Sequence, residues 1–295
     1  MDPSAASELV EHVVDFYDKV APNYDEWAAG LHRKVALRLV EFAAPAPGET
    51  VLDVGTGTGL IAHLAAERVG PNGVVFGIDL SEAMLEIARQ KPNRNTHFIG
   101  MAAEHLVFRD ETFDLVTMGE ALAYLVDPQH SLREACRVLK PGGRIAVSCH
   151  RRSLNTAAQE IFFSTLGPLA RRHHLYLPRY SNERASYGER DVLPRLLGQA
   201  GFQDVKLTEL VMGGRTRDVR SWTELMEGAG PLPHTLLSVL GPGPRREYEL
   251  ELDQMMRELE DDAYRYHHAF LFAIGARPAR ETYQVFAEPA EAGSA

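Results

Sequence analysis

Val51-Leu52-Asp53-Val54-Gly55-Thr56-Gly57-Thr58-Gly59 is the stretch that decides the fold. An apolar run ends in three alternating glycines, and a helical pattern of apolar residues follows. That order describes a buried parallel strand turning sharply into a helix N-terminus, with bare backbone where a ligand would approach. A second apolar run, Val74 to Ile78, ends in Asp79 about twenty residues later. An acid at the tip of the second strand is placed to take both hydroxyls of a ribose. The two strands together predict a site for a nucleoside-bearing cofactor.

The spacing excludes the commoner cofactors of such a turn. A dinucleotide fingerprint sets its glycines two and then three residues apart. Here Gly55, Gly57 and Gly59 stand two and two apart, and Leu60 occupies the position of the third glycine. A GxxxxGK(S/T) phosphate loop does not occur in the chain. Asp53, at the end of the first strand, would repel a pyrophosphate and suits a ligand with a cationic amino group.

Acid-x-Gly-x-Gly-x-Gly resembles the class I S-adenosylmethionine-dependent methyltransferases, and further stretches continue the resemblance. Asp79-Leu80-Ser81-Glu82-Ala83-Met84-Leu85 resembles the family's ribose-binding acid and the helix behind it. Phe113-Asp114-Leu115-Val116 is similar to its fourth strand, and Arg137-Val138-Leu139-Lys140-Pro141-Gly142-Gly143-Arg144 to the turn into its fifth. Upstream, Phe16-Tyr17-Asp18-x-x-Ala21-x-x-Tyr24-Asp25 resembles the N-terminal segment of the branch holding the ubiquinone, menaquinone and many natural-product methyltransferases. The likeness runs over residues 12–150.

The implied fold is α/β: a Rossmann-like seven-stranded sheet with helices on both faces, and a helical lid from insertions after strands five and six. Candidate strands lie at 50–54, 74–78, 95–99, 113–118, 143–149, 203–211 and 266–275. Candidate helices lie at 59–68, 81–90, 127–139 and 189–200, with a short piece near 103–106. Strand–helix alternation with apolar strands predicts a parallel sheet covered on both faces. Ser81 and Asp127 are the expected N-caps, Pro128 takes a first helical position, and Gly142-Gly143 is expected to close the last core helix. Residues 1–48 read as a helical cover, 49–150 as the cofactor-binding core, and 151–276 as lid insertions with strands six and seven. Residues 277–295 read as a disordered tail. Within 218–263, Gly241-Pro242-Gly243-Pro244 breaks two or three helices.

Composition sets bounds on function. The chain has 295 residues, 45% of them hydrophobic, enough for one large core. Cys136 and Cys149 give neither a disulfide framework nor a metal-ligand spacing, so no metal is expected. No membrane span or signal sequence is legible, and the expected location is cytoplasmic. A net charge of −10 disfavours nucleic acid as substrate. Arg171, Arg172, Arg179 and Arg184 form a local basic cluster, better explained as a solvated lid helix. The oligomeric state stays open, a homodimer being one expectation.

The resemblance implies specific roles. Asp53 is expected to hold the cofactor's ammonium group directly or through water, and Asp79 its ribose. Backbone at Gly55, Thr56, Gly57 and Gly59 admits the methionyl portion, with Gly119 beyond it. Leu80 and Met84 would flank the adenine. The branch usually has Gly-Asp-Ala where this chain has Met101-Ala102-Ala103, so the adenine amino contact comes from elsewhere, from water, or is absent, while backbone at Ala102 and Ala103 can still meet the ring edge. Tyr17 and Tyr24 would fold over the site or, more plainly, anchor an amphipathic helix. For a general base the strand ends offer His150 first, then Glu120 and Tyr124, with His173 and His174 on the lid next and His267 and His268 as structural. The branch often has a histidine pair after Ala-Leu; here Ala121-Leu122 is followed by Ala123-Tyr124. Lid aromatics such as Phe162, Phe163, Tyr176 and Tyr180 would line an acceptor pocket or simply form core.

The expected cofactor is S-adenosylmethionine, leaving as S-adenosylhomocysteine, and the expected activity is methyl transfer to oxygen or carbon of a bulky small-molecule metabolite. Secondary-metabolite or quinone-type biosynthesis is the expected setting. The alternatives are a cyclase or rearrangement enzyme that keeps the cofactor as scaffold or fixed charge, and a non-catalytic cofactor-binding protein.

Overall fold

The computed structural model describes residues 3–91, 94–174, 186–228 and 231–280. Its centre is one seven-stranded sheet in the order β3-β2-β1-β4-β5-β7-β6. The strands are β1 (Thr50–Val54), β2 (Val74–Asp79), β3 (Thr96–Gly100), β4 (Phe113–Gly119), β5 (Leu139–His150), β6 (Gln203–Arg215) and β7 (Arg265–Ala276). The first five run parallel, and β7 lies antiparallel between β5 and β6. Central β1 is buried from Val51 to Val54 because helices cover both faces, as its unbroken apolar run requires.

Ahead of the sheet lie α1 (Pro3–Val20), a 3-10 segment (Ala21–Gly30) and α2 (Leu31–Ala43). The core crossovers are α3 (Leu60–Val69), α4 (Glu82–Gln90) and α5 (Pro128–Val138). Ser81 caps α4 by accepting from the Met84 N–H, and Asp127 caps α5 by accepting from the His130 N–H, as their short oxygen-bearing side chains predict. Pro128 sits in the first turn of α5. One face of the sheet packs against α2 and α3 through Leu39, Val51, Ala65 and Phe272. The other packs through Leu52, Phe113, Val116 and Leu132, and carries α5 and α7 (Val192–Gln199).

The insertions form a second apolar core. α6 (Ala157–Arg172) follows β5, while α8 (Val219–Glu227), α9 (Pro231–Ser238) and α10 (Pro242–Arg257) separate β6 from β7. These four helices converge on fully buried Trp222, which meets Phe162 edge-on at 5.2 Å between ring centroids. Despite the three-helix excursion, β6 and β7 still pair directly, from Lys206↔Ile274 to Arg215↔Arg265.

Some local expectations are corrected. Residues 103–106 form turns, not a helix. α5 ends at Val138 with Leu139 already extended, so Gly142, at φ +78°, bends the early part of β5 and does not cap the helix. Pro242 opens α10, so the Gly-Pro-Gly-Pro run starts a helix as well as ending one. The chain beyond β7 is tied down at first: Arg277 donates to the carbonyls of Cys136 and Arg137, and Arg280 pairs with Glu111, so the expected tail does not start at 277. Residues 281–295, like Tyr176, Arg179, Tyr180 and Arg184, lie outside the described residues. Among the described residues, no helix is long and apolar enough to cross a membrane.

Phe113 is fully buried and meets Phe76 and Phe108 edge-on at 5.9 and 5.0 Å. Phe113→Ala should therefore lower unfolding free energy by about 3–5 kcal/mol, read from urea denaturation midpoints. A loss below about 1 kcal/mol would show that the cluster repacks around the gap.

Candidate active site

The site opens where β1 meets β4. Later strands add to the two sides of β1 in opposite directions, so the turns after β1 and β4 part and leave a crevice at the carboxyl edge of the sheet. The cavity there holds about 860 Å³ free of protein atoms, part of it open to solvent. Gly55, Gly57 and Asp79 form one wall and Met101, Ala103 and Glu104 another, while Val10, Val13, Val14 and Tyr17 of α1 roof it.

The glycine turn is shaped by two constraints. Gly55 has φ +68°, and a Cβ there would lie 2.5 Å from the Ala121 Cβ. Gly57 has φ +53°, and a Cβ there would meet no heavy atom within 4 Å. The first glycine is needed for close packing against the turn after β4, and the second leaves bare backbone beside open space. Its N–H donates to Asp79 Oδ2 at 2.8 Å, and the Ser81 N–H donates to Oδ1 at 3.0 Å. Burial raises the Asp79 carboxyl above its ordinary pKa, and these N–H groups only partly offset the effect.

Asp53 does not face the cavity. It is fully buried beneath the turn, where its two oxygens accept from the Thr56 and Thr117 hydroxyls, each at 2.7 Å. Burial pushes it up to about 6 even so. Direct contact with a ligand's ammonium group is therefore not what this side chain offers; it fastens the turn to β4. Thr56 lines only a smaller neighbouring cavity, Gly59 stands at the N-cap of α3, and Ala102 lines neither space. Leu80, Met84, Ala103 and Gly119 all line the main cavity as expected.

The aromatic and acidic candidates converge. Tyr17 stands 5.7 Å from Tyr124 and 6.0 Å from Tyr24, centroid to centroid, all near edge-on. Burial raises both Tyr24 and Tyr124, the latter to about 12. Glu120 lies between the main cavity and the smaller one and lines both. Its backbone is at φ +56°, a strained conformation for a residue with a Cβ. Burial pushes its carboxyl up to about 7 against hydrogen bonds from the Ser148 side chain and the His150 backbone. Its Oε1 is buried with no hydrogen-bond partner among the described residues.

His150, the first choice from sequence, is not in the cavity. It pairs with Phe270 across antiparallel β5 and β7, and the two rings pack edge-on at 5.4 Å. Residues directly opposite on such strands share a face, so Phe270 holds the imidazole away from the crevice. His173 and His174 also lie outside the cavity lining, and Phe162 and Phe163 are core of the insertion bundle.

Sequence reasoning assigned no role to two acids in the N-terminal segment. Asp18 accepts from the Ser81 hydroxyl at 2.5 Å and fastens α1 over α4. Asp25 accepts from the Thr58 hydroxyl and pairs with Lys91 at 3.0 Å, fastening the 3-10 segment to the glycine turn. Both belong to the Phe-Tyr-Asp…Tyr-Asp pattern; the signal was present, but not the partners. Glu104 spends its carboxylate on the N–H groups of Val126 and Asp127, which holds that loop against the cavity.

A family model described as a methyltransferase domain matches residues 45–178. The demethylmenaquinone methyltransferase of Symbiobacterium thermophilum is 40% identical over 152 residues, 48% of this chain and 60% of that protein, so the match spans under two thirds of that relative's length. The 2-phytyl-1,4-naphtoquinone methyltransferase of a Nostoc species is 36% identical over 169 residues, covering 53% of this chain and 74% of the relative. Among solved structures, a putative methyltransferase from Bacillus halodurans superposes with a TM-score of 0.54 at 21% identity, over 83% of this chain and 99% of that one. That last likeness concerns the fold alone.

Folding raises the Glu120 carboxyl from its ordinary 4.5 to about 7, so the native state favours the protonated form. The resulting stabilisation is complete below the unfolded value and lost as pH rises through the folded one. Between pH 4.5 and about 7, the denaturation midpoint of wild type should therefore fall relative to that of Glu120→Gln. A difference that stays flat across this window would mean that the carboxyl titrates normally.

Proposed function

We propose that this chain, which belongs to the class I S-adenosylmethionine-dependent methyltransferases, transfers the cofactor's methyl group to oxygen or carbon of a bulky, largely apolar small molecule of the quinone or natural-product kind. The observation that carries the reading is the cavity's chemistry. Bare backbone at Gly57 stands beside the desolvated Asp79, and a largely aliphatic lining carries three acids and three tyrosines with neither Lys nor Arg among the described residues. Such a lining disfavours phosphate-bearing ligands and favours a nucleoside that carries positive charge.

The residues present fit S-adenosylmethionine. Asp79 would take the ribose hydroxyls through charge-assisted hydrogen bonds, exchanging its contact with the Gly57 N–H for stronger ones. Gly55 and Gly57 would hold the amino-acid end through backbone. Leu80, Met84, Met101 and Ala103 supply the apolar slot for the base. Tyr17 and Tyr24 offer ring faces toward a cation. When bound, the cofactor would supply an electrophilic methyl group for transfer to the acceptor atom.

Positioning and exclusion of water by the α1 roof are then the main tasks of the protein. Glu120 is the group suited to accept a proton from the acceptor, because the residue lines the cavity and its pKa stands near neutrality. The names of the two curated relatives point to quinone-type rings, and an apolar roof of Val10, Val13 and Val14 suits such a ring.

Two measurements test the reading. S-adenosylhomocysteine should bind wild type in calorimetric titration, and Asp79→Ala should weaken it on the order of 10- to 100-fold, the loss of one to two charge-assisted hydrogen bonds. Absence of binding to folded wild type would overturn the cofactor assignment. With a demethylated naphthoquinol as acceptor, Glu120→Gln should reduce kcat by about 10²- to 10⁴-fold while leaving S-adenosylhomocysteine affinity within about threefold. An unchanged kcat would remove Glu120 from the chemistry.

A further inference from the structure

The cofactor's three parts follow one another as amino acid, ribose and base, and the neighbouring strand tips follow as β1, β2 and β3. With the amino-acid end at Gly55 and Gly57 and the ribose at Asp79, the base falls against the segment that leaves β3. That segment is fixed to the ribose-binding strand, since the Met101 N–H donates to the Asp79 carbonyl at 3.0 Å. Its Met101, Ala103 and Glu104 line the cavity together with Leu80 and Met84. Of these five residues only Glu104 carries a hydrogen-bonding side chain.

The Glu104 carboxylate is used on one oxygen. The N–H groups of Val126 and Asp127 both donate to Oε1, at 2.8 and 3.1 Å. Oε2 has no hydrogen bond or ion pair among the described residues. Unlike Glu120 Oε1, it is not sealed away from solvent. The first oxygen therefore holds the loop after β4, and the second is left as an acceptor beside an apolar slot. Ser81, the next polar side chain in this part of the lining, already donates its hydroxyl to Asp18.

What such an acceptor selects follows from the edges of the purines. Adenine carries a 6-amino group with N–H donors, whereas a 6-oxo purine presents the lone pairs of a carbonyl. A carboxylate oxygen accepts from the first and repels the second. Neither a cation nor a side-chain amide lines the cavity among the described residues to favour the carbonyl instead.

We infer that Glu104 is the residue that reads the base: Oε2 accepts from the 6-amino group of the cofactor's adenine while Oε1 keeps the amides of Val126 and Asp127. Base recognition and the placement of Val126, which itself lines the cavity, thus share one carboxylate. The inference rests on the methyltransferase reading and adds to it the residue that decides which nucleoside is accepted.

The test compares S-adenosylhomocysteine with its 6-oxo analogue, S-inosylhomocysteine, by calorimetric titration of wild type and Glu104→Gln. Wild type should bind the adenine form about 10- to 100-fold more tightly. In Glu104→Gln the side-chain carbonyl stays on the two loop amides, so the NH2 group takes the place of Oε2 and an acceptor becomes a donor. The preference should then shrink to within about threefold or reverse, with S-adenosylhomocysteine weakened and S-inosylhomocysteine tightened. A Glu104 that only holds the loop would weaken both ligands together and leave their ratio as in wild type, and that result would overturn the inference. Equal affinity of wild type for the two ligands would overturn it too, in a comparison that needs no variant and stands if the glutamine protein fails to fold. Failure of folded wild type to bind either ligand would instead bring down the methyltransferase reading beneath it.

Discussion

The Asp53 carboxylate, buried between the Thr56 and Thr117 hydroxyls, is the junction on which the site's geometry depends. Asp53 and Thr117 are register partners on parallel β1 and β4, so the bond locks together the ends of two strands whose following turns part. Four residues beyond Asp53 stands Gly57 with its bare backbone, and three residues beyond Thr117 stands Glu120. One carboxylate thus sets the position of the glycine turn against that of Glu120. Desolvation works against the arrangement, raising the carboxyl to about 6, and the two hydroxyls oppose that rise. Removing either hydroxyl would leave a buried oxygen unmet, at a cost of about 1–3 kcal/mol.

Built on that junction, the crevice gathers acids and tyrosine rings without a balancing cation among the described residues that line it. Asp79 raises Asp53 further, and Glu120 raises Tyr24 and Tyr124. Each of these groups holds its proton more tightly than it would in water. A cationic ligand relieves that repulsion, whereas an anionic one would add to it. The left-handed backbone at Glu120 fits the same pattern, since a conformation costing about 1–3 kcal/mol persists where surrounding structure fixes a side chain for use.

The sheet was legible because its determinants are local. Five apolar runs at helical intervals, a glycine turn and an acid at the next strand tip need no distant partner to be read. Asp79, Gly55, Gly57, Leu80 and Met84 are accordingly where their spacing placed them. His150 was misjudged because spacing locates a residue at a strand end but does not say which way its ring turns. Phe270, 120 residues later, decides that. Asp18 and Asp25 were visible as a pattern, yet their work depends on Ser81, Thr58 and Lys91, more than thirty residues away. The lid aromatics show the same limit, since helical spacing alone could not tell that Phe162 would meet Trp222 and not a ligand.

Sequence left two readings for the insertion aromatics, acceptor-pocket lining or core, and no described insertion residue lines the main cavity. The roof is α1, and α1 is held from two sides. Phe16 packs with Val20, Ala21 and Met84 over the cofactor half, and its ring meets His234 of the insertion bundle at 5.7 Å. Asp18 adds the hydrogen bond to Ser81, directly behind Asp79. The same helix therefore touches the turn behind Asp79 at one point and the insertion bundle at another. The bundle shapes the cavity at one remove, by setting how α1 lies across it. The glycine turn, Asp79 and Glu120 belong to the sheet's own edge, whereas the roof's placement depends on contacts with both the sheet's helices and the bundle.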